Sequence, residues 1–170
     1  MNEARRPGET DGQVPDSRTA GFSTPNLIDV EVKRLDEGLP LPKQAYAADA
    51  GVDLCAAIDC TLAPGERTLI PTGLAIAVPE GFAGLVLPRS GLALRVGLSM
   101  ANTPGLIDSH YRGELSIVAI NLDRTTPIVI KRGERIAQLV IIAVPQVVWR
   151  EVDELDLTER GDHGFGSSGV

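Results

Sequence analysis

The sequence has few cysteines and no long apolar run. Its two cysteines, Cys55 and Cys60, are too few for a disulfide framework among 170 residues, and neither has a cysteine or histidine neighbour at the spacing of a zinc site. We therefore expect two buried or half-buried free thiols. No apolar run approaches the ~18 residues of a membrane span, and the N-terminus lacks the hydrophobic region of a signal peptide. These absences predict a cytoplasmic protein without a membrane partner.

Positive charge is also scarce. The chain has 16 lysines and arginines against 23 aspartates and glutamates, which gives a formal net charge of −7. A protein that binds the backbone of a nucleic acid usually carries a basic surface, so this balance predicts no nucleic-acid partner. An anionic ligand would have to meet local positive charge or a metal ion.

Glycine and proline, in contrast, are abundant and interrupt the apolar runs. Eighteen glycines and twelve prolines leave few windows long enough for an ordinary helix, a pattern typical of short strands joined by turns. One short helix is predicted after Pro88, capped by Ser90 and ended by Gly97. The predicted fold class is therefore all-β with one short helix.

The chain length favours one domain, and the composition changes at both of its ends. Residues 1–26 are polar and rich in glycine, proline, serine and threonine, so we expect a disordered N-terminal extension. Residues 27–150 contain the apolar runs of the β domain. Residues 151–170 read as an acidic arm followed by a flexible glycine-rich end.

The segment 102–115 carries the most chemistry for its length. It reads N-T-P-G-L-I-D-S-H-Y-R-G-E-L, and its glycines and proline between two apolar segments predict a tight hairpin that displays polar groups. Asp108 is the candidate general base of this hairpin, and the alternative is an aspartate that bonds its own turn. Tyr111 is either a ligand contact or an ordinary packed aromatic residue.

Four further polar segments stand at the ends of apolar runs, at residues 50–54, 88–93, 133–139 and 160–169. In the segment 50–54, the alternation of a strand directs Asp53 away from the core, where it is either a solvated acid or part of a site. Arg89 and Ser90 form a candidate phosphate site at a helix N-terminus, and the alternative is a plain capping serine beside a surface arginine.

The segments 133–139 and 160–169 each allow two interpretations. Gln138 is polar among apolar neighbours, so it reaches either a ligand or a buried carbonyl. The glycine-rich end is either a flexible tail or a phosphate clamp, in which glycine and serine N–H groups and Arg160 bind phosphate oxygens and Phe165 stacks on a base.

Three apolar segments, 115–122, 128–130 and 136–144, have no polar face. A strand without a solvated side must be covered on both faces. In a chain with so little helix, the second cover points to another subunit. We therefore predict a homo-oligomer.

Taken in order and at these separations, the five polar segments resemble the five motifs of the trimeric dUTPases, over roughly Ile28 to the C-terminus. The resemblance implies a dUTPase-like β-barrel or jelly-roll-like sandwich that assembles as a homotrimer. It implies a dUTP diphosphatase, which hydrolyses dUTP to dUMP and pyrophosphate with Mg²⁺. That reaction limits uracil incorporation into DNA and supplies dUMP for dTMP synthesis.

The resemblance also implies roles for single residues. Asp108 would activate the water that attacks the α-phosphorus, and Asp53 would act on the water shell of Mg²⁺, which the three phosphates mainly hold. In the family, motifs one, two and four come from one subunit, the hairpin from a second and the tail from a third. The implied substrate contacts are Arg89, Ser90, Gly91, Asn102, Gly105, Leu106, Ile107, Tyr111, Gln138, Arg160, Phe165, Gly166, Ser167 and Ser168.

Substrate choice would depend on the hairpin. Gly105 lets the backbone come close, Leu106 and Ile107 offer main-chain groups to the uracil edge, and Asn102 adds an amide. Cytosine presents the opposite donors and acceptors, so such a site rejects it, and a thymine methyl would clash. Tyr111 under the sugar would exclude a 2′-hydroxyl and favour deoxyribose.

Three charged residues near the motifs, Arg112, Glu114 and Arg135, are expected to shape the trimer through ion pairs. Two other functions stay open. A dCTP deaminase shares the fold and the hairpin, but it needs a catalytic glutamate where this chain has Val118. A nucleotide-binding or regulatory trimer without turnover is the other alternative, and the presence of Asp53, Asp108 and the complete tail argues against it.

Overall fold

The computed structural model describes residues 27–163. The predicted disordered extension, residues 1–26, lies outside this range. Within it the chain forms ten strands and one helix. They are β1 (Glu31–Arg34), β2 (Gly51–Cys55), β3 (Cys60–Leu62), β4 (Arg67–Ala77), β5 (Phe82–Pro88), α1 (Ser90–Val96), β6 (Leu98–Met100), β7 (Gly105–Ile107), β8 (Glu114–Asn121), β9 (Ile128–Ile130) and β10 (Arg135–Ala143).

The strands form three antiparallel sheets that enclose one core. Their orders are β1-β4-β8-β6, β2-β10-β5-β7 and β3-β9. Buried side chains from all three, among them Leu54, Leu62 and Ile117, belong to a single apolar cluster. The prediction of an all-β sandwich with one short helix is confirmed, and the sheets do not close into a barrel.

Strand β8 shows how the apolar segments are used. Leu115, Ile117 and Ala119 alternate into the core with at most 1% of their surface exposed, whereas Val118 and Ile120 between them are only half-buried. The single chain therefore covers one face of this strand fully and leaves apolar side chains on the other. This is the arrangement from which we predicted a homo-oligomer.

Helix α1 begins one residue earlier than we predicted, because its N-cap is Arg89 and not Ser90. Arg89, with extended backbone angles, is the N-cap, and its carbonyl accepts the N–H groups of Leu92 and Ala93. No side chain caps the helix, so the predicted cap by Ser90 is wrong. The physical reason is that β5 keeps the chain extended through Pro88, which leaves Ser90 as the first helical residue. Gly97 ends the helix at a φ of 72°, as predicted.

The segment 102–115 is not a hairpin, and this prediction is wrong. Its first strand, β7, pairs with β5 of one sheet, whereas the following strand, β8, pairs with β4 and β6 of another. The glycines and proline mark turns correctly, but turn residues do not specify which strand becomes the neighbour. The segment therefore passes from the edge strand β7 of one sheet to the inner strand β8 of the other, and most of its polar residues are exposed.

Within residues 27–163, the only helix is too short to cross a membrane.

Candidate functional site

Two neighbouring strands bring Asp53 and Gln138 side by side. In the register of β2 against β10, Gln138 lies opposite Asp53, and in that of β10 against β5, it lies opposite Leu87. Arg89 follows directly where β5 ends. The sheet therefore gathers three of the predicted site residues at one place, although they are far apart in the sequence.

The carboxylate of Asp53 lies between two guanidinium groups. Its Oδ1 is 2.7 Å from Nε of Arg89, and its Oδ2 is 3.1 Å from Nη1 of Arg135. Arg89 also donates from Nη1 to the carbonyl oxygen of Arg135, at 2.9 Å. The two arginines and the aspartate thus form a closed ring of contacts, and Asp53 is not the isolated solvated acid of the alternative reading.

Gln138 donates from its side-chain amide to the carbonyl oxygen of Pro88, at 3.0 Å. This is the second of the two readings that the sequence left open. The bond ties β10 to the last residue of β5 and leaves the amide oxygen of Gln138 without a hydrogen bond in the described part of the chain.

These residues line an open cavity of about 630 Å³. Asp53, Arg89, Ser90, Gly91 and Gln138 all contribute to its wall, so the structure brings together every predicted residue of the first, second and fourth motifs. Four further lining residues have charged or aromatic side chains and lie outside the five polar segments or were not among the predicted contacts, namely Lys43, Tyr46, Asp49 and Arg95. With three cations and two carboxylates, this wall supplies the local positive charge that an acidic chain needs for an anionic ligand.

Arg95 occupies a distinctive position on this wall. A Cβ on Gly91 would lie 3.0 Å from Nη1 of Arg95, so the arginine of the helix folds back over the glycine one turn earlier. Arg89 is engaged by Asp53, whereas Arg95 forms no hydrogen bond or ion pair with residues 27–163. The spacing of four residues on one helix face was the signal that could have identified it.

Asp108 lies on a different surface. It lines a second cavity, of about 350 Å³, with Leu106, Ile107, Tyr111 and Glu114. Its carboxylate is exposed and accepts no hydrogen bond from the described residues, so the alternative of an aspartate that bonds its own turn does not hold for the side chain. None of the residues of the Asp53 cavity lines this one. One chain therefore presents two separate halves of the predicted site.

Tyr111 is held in place by its own segment. Its hydroxyl donates to the carbonyl oxygen of Glu114, at 2.9 Å, and its backbone N–H donates to the carbonyl of Asp108, at 3.0 Å. The ring is 44% exposed and packs over Gly113, where a Cβ would lie 2.7 Å from Cζ of the ring. An exposed aromatic ring fixed at both ends can serve as a platform for a ligand.

Two further predicted contacts of this segment are Asn102, in the turn that precedes β7, and Gly105, the first residue of β7. Asn102 is exposed and Gly105 is buried. A Cβ on Gly105 would lie 3.4 Å from Cε of Met100 and 3.5 Å from Nδ2 of Asn102, which are ordinary contact distances. The packing of the single chain therefore does not by itself require glycine at this position.

The tail is described only up to residue 163. Arg160 is exposed, and its Nε donates to the carbonyl oxygen of His163, at 2.9 Å. The other predicted tail contacts, Phe165, Gly166, Ser167 and Ser168, lie outside the described residues. The structure brings Arg160 to neither cavity within the chain.

Three charged residues that we expected to pair across the trimer have partners within the chain. Arg135 pairs with Asp53, Glu114 accepts the N–H of Gly73 at 2.7 Å, and Arg112 donates to the carbonyl of Ser109 at 2.6 Å. Arg135 is thus a member of the Asp53 cluster that the sequence analysis did not recognise.

Both cysteines are half-buried free thiols, as predicted. The pKa of Cys55 is raised, first by burial and then by the neighbouring Asp53 carboxylate, while Arg135 and Arg89 act in the opposite direction. Burial also raises the pKa of Cys60, with smaller contributions from Asp59 and Glu66. A raised pKa disfavours the thiolate, which is the nucleophilic form of cysteine.

The fold and these cavities define an all-β protein that has a cavity wall with three cationic side chains at one place on its surface and an exposed carboxylate at another. Comparison with known families specifies the class further, because the dUTPase family matches residues 37–169. The chain therefore belongs to the dUTPase family, and the prediction of a dUTP-hydrolysing enzyme is confirmed at the level of the family.

Bacterial relatives are similar over most of the chain. The deoxyuridine 5′-triphosphate nucleotidohydrolase of Corynebacterium glutamicum is 57% identical over 144 residues, which are 85% of this chain and 97% of that protein. The protein of the same name from Thermobifida fusca is 52% identical over 142 residues, with coverage of 84% and 79%.

Solved structures of dUTPases are also similar to this chain. A mutant dUTPase of Staphylococcus bacteriophage 80alpha with dUpNHpp has a TM-score of 0.77 and 32% identity, and the match covers 84% of this chain and 99% of that one. A dUTPase mutant from phage phi11 of S. aureus, described with a coordinated structural Mg(II) ion, has a TM-score of 0.70 and 27% identity, with coverage of 76% and 99%.

Proposed function

We propose that this chain hydrolyses dUTP to dUMP and pyrophosphate, with Mg²⁺, at sites built by three copies of the chain. The observation that carries the proposal is the separation of the two cavities. One has the cations and amides that bind phosphate, and the other has an exposed carboxylate beside a fixed aromatic ring. Facing surfaces of neighbouring subunits complete a site that one chain does not contain.

The Asp53 cavity is the phosphate half. Arg89, Ser90 and the backbone of Gly91 stand at its edge, where a guanidinium and N–H groups can bind phosphate oxygens. Gln138 adds its amide. From a third chain, Arg160, Gly166, Ser167 and Ser168 close over the phosphates, and Phe165 stacks on the base. Holding the phosphates in place supplies most of what phosphoryl transfer requires from a protein.

Asp108 acts as the general base. Its exposed carboxylate accepts a proton from a water molecule, and the oxygen of that water forms a bond to the α-phosphorus. The bond between the α-phosphorus and the oxygen that bridges to the β-phosphorus breaks, and pyrophosphate leaves with the bond's electron pair. The products are dUMP and pyrophosphate.

The residues present fit a magnesium ion bound mainly by the substrate. No three metal-ligating side chains cluster within residues 27–163, whereas Asp53 and Asp49 both line the phosphate cavity. Magnesium keeps several waters and combines one or two carboxylates with phosphate oxygens. When bound, the ion would neutralise charge on the phosphate chain, and Asp53 would hold its water shell.

The segment around β7 selects the base and the sugar. Leu106 and Ile107 offer backbone groups to the uracil edge at the exposed end of an edge strand, and Asn102 adds its amide near Gly105. Tyr111 packs against the deoxyribose and leaves no room for a 2′-hydroxyl. We propose that the protein acts in the cytoplasm, where the reaction limits uracil in DNA and supplies dUMP for dTMP synthesis.

The test is to incubate the full-length protein with dUTP, dCTP or UTP in Mg²⁺ and to follow pyrophosphate and ammonia. We expect pyrophosphate from dUTP and neither product in quantity from the other two. Ammonia from dCTP would support a deaminase, and binding of dUTP without products would support a regulatory trimer.

The substitution Asp108→Asn tests the role of Asp108 as the general base directly. The amide cannot accept the proton, so kcat should fall by about 10² to 10⁴, the usual contribution of a positioned base, while the affinity for dUpNHpp is retained. Asp153→Ala, which removes an exposed carboxylate outside both cavities, is the matched control and should leave kcat unchanged. Wild-type kcat in Asp108→Asn would remove Asp108 from the mechanism.

A further inference from the structure

A β-bulge in β10 determines which side chain faces Asp53. Ala137 lies opposite Leu54 and Gln138 opposite Asp53, but the register then shifts so that Arg135, and not Ile136, lies opposite Cys55. Side chains alternate along β2, so Asp53 and Cys55 share one face of the sheet. The extra residue in β10 therefore turns Arg135 onto the face of Asp53.

Regular pairing would have had the opposite result. Ile136 would have faced Cys55 and the cavity, and Arg135 would have pointed towards the core. With the bulge, Ile136 is 3% exposed in the apolar core, and the guanidinium of Arg135 is free to reach Oδ2 of Asp53. Bulges of this kind often re-aim a side chain next to an active site.

Arg135 holds both members of the Asp53–Arg89 pair. Its side chain contacts Oδ2 of Asp53, at 3.1 Å, and its backbone carbonyl accepts a hydrogen bond from Arg89, at 2.9 Å. Arg89 occupies the other carboxylate oxygen, Oδ1, at 2.7 Å. If Arg89 turns to a phosphate, Oδ1 becomes free, whereas Oδ2 keeps its partner.

We propose that Arg135 is a positioning residue, which the bulge in β10 aims at Asp53, and that it keeps this carboxylate in place when Arg89 leaves it for the phosphates. The proposal rests on the proposed function. Arg135 touches no substrate. It acts through Asp53, whose freed Oδ1 would then face the water shell of the substrate-bound magnesium.

The test compares three substitutions in the full-length protein. Arg135→Gln removes the charge, Arg135→Lys keeps a cation that can still reach Oδ2, and Arg132→Gln is the matched control. Arg132 belongs to the turn just before β10, but it pairs with Asp36, at 2.7 Å, away from the cavity. Because Arg135 is exposed, its substitution should leave the thermal unfolding midpoint nearly unchanged.

The first measurement needs neither substrate nor metal. The Nε–H signal of Arg89 in a ¹H–¹⁵N spectrum, identified by its loss in Arg89→Lys, reports the contact with Asp53. We expect this proton to exchange with water faster in Arg135→Gln than in the wild type, and at the wild-type rate in Arg132→Gln. An unchanged rate in Arg135→Gln would overturn the proposal, whatever the enzyme's activity.

The second measurement is the Mg²⁺ concentration that gives half-maximal hydrolysis of saturating dUTP. We expect it to rise about tenfold in Arg135→Gln, the lower range for residues that orient a metal-site carboxylate, and to recover in part in Arg135→Lys. Affinity for dUpNHpp without Mg²⁺ should stay near that of the wild type. An equal loss of affinity with and without Mg²⁺ would make Arg135 a direct phosphate contact and contradict the proposal.

Different outcomes would overturn the proposed function and the role of Arg135. If the wild type releases no pyrophosphate from dUTP, the proposed function is wrong. If the wild type is active but Arg135→Gln has the wild-type Mg²⁺ requirement, only the role of Arg135 is wrong.

Discussion

At the scale of single residues, Gly113 shows how a missing side chain can set the position of a neighbouring one. The ring of Tyr111 occupies the space above Gly113, and the hydroxyl of that ring is tied to the carbonyl of Glu114. Gly113 is not among the glycines with positive φ. Its role is therefore to leave space, and not to allow an unusual backbone conformation.

Gly113→Ala should displace Tyr111, because the new Cβ would lie only 2.7 Å from Cζ of the ring. Because Tyr111 is the proposed platform for the sugar, kcat/KM for dUTP should fall by about tenfold or more when the ring moves, and the preference for dUTP over UTP should decrease. Hydrolysis rates with both nucleotides measure this.

The control for this substitution is Gly65→Ala, at a turn with φ of 74° and no heavy atom near the added Cβ. It should lower stability but keep the preference for dUTP. A normal preference in Gly113→Ala would show that the ring is not the element that rejects UTP.

Asp123 gives a prediction for pH. The backbone N–H groups of Thr125 and Thr126 donate to its Oδ1, at 2.8 and 2.7 Å, and they lower its pKa below the ordinary 3.8. A carboxylate with a lowered folded pKa stabilises the protein above the unfolded pKa, and this contribution is lost as the pH falls through the folded pKa.

Asp123→Ala should therefore lower the unfolding midpoint at pH 7, and the difference from the wild type should shrink once the pH falls below about 3.8. Thermal unfolding followed by circular dichroism at several pH values measures this. Asp153→Ala, which removes an exposed carboxylate without a hydrogen bond in the described residues, should show no such trend. A difference for Asp123→Ala that is constant from pH 7 to acid would mean that the turn does not depend on the charge.

Among the secondary-structure elements, helix α1 connects the Asp53 cavity to the rest of the fold. Its first residues, Ser90 and Gly91, line the cavity, and its end is closed by Gly97, whose N–H donates to the carbonyl of Ala93. The carbonyl of Gly97 in turn accepts the N–H of Leu122. The helix is short and has no buried residue, so these end contacts matter more than its packing.

Gly97→Ala should destabilise the protein by more than the ~1 kcal/mol that a left-handed conformation costs an alanine. The added Cβ would also lie 2.8 Å from the backbone nitrogen of Asp123. Denaturant unfolding of Gly97→Ala and Gly65→Ala separates the two effects, because Gly65 has a similar φ of 74° and open space around it. Equal losses of stability would mean that the contact with Asp123 relaxes without cost.

At the scale of the whole molecule, the separation of the two cavities predicts that subunits can complement one another. Asp108→Asn removes the proposed general base from one cavity, and Arg89→Gln removes a proposed phosphate contact from the other. If the halves meet across subunits, a mixed trimer contains some sites with both halves intact.

Refolding equal amounts of the two variants together should restore activity at about a quarter of the sites, as random assortment in a closed trimer requires. Pyrophosphate release from dUTP measures the recovery, and the separately refolded variants, mixed afterwards, are the control. If mixed trimers form but are no more active than the control, each site belongs to one chain.

Local sequence patterns were sufficient to predict the strands, the turns, the short helix and the family of this protein. Alternating apolar residues specify the strands of the core, and frequent glycine and proline specify the turns and exclude long helices. The short helix and its end at Gly97 could also be predicted. The types of residue in the five polar segments indicated the dUTPase family, and the family comparison confirmed it.

Long-range packing determined the rest. A turn signal does not select a partner strand, so the crossing of 102–115 between two sheets could not be read from its composition. One extra residue in β10 turned Arg135 towards Asp53 and Ile136 into the core, because the register of three paired strands, and not the local pattern, decides which face each side chain takes. The types of residue thus determine the chemistry of the site, while its geometry results from the pairing of strands that are distant in the chain.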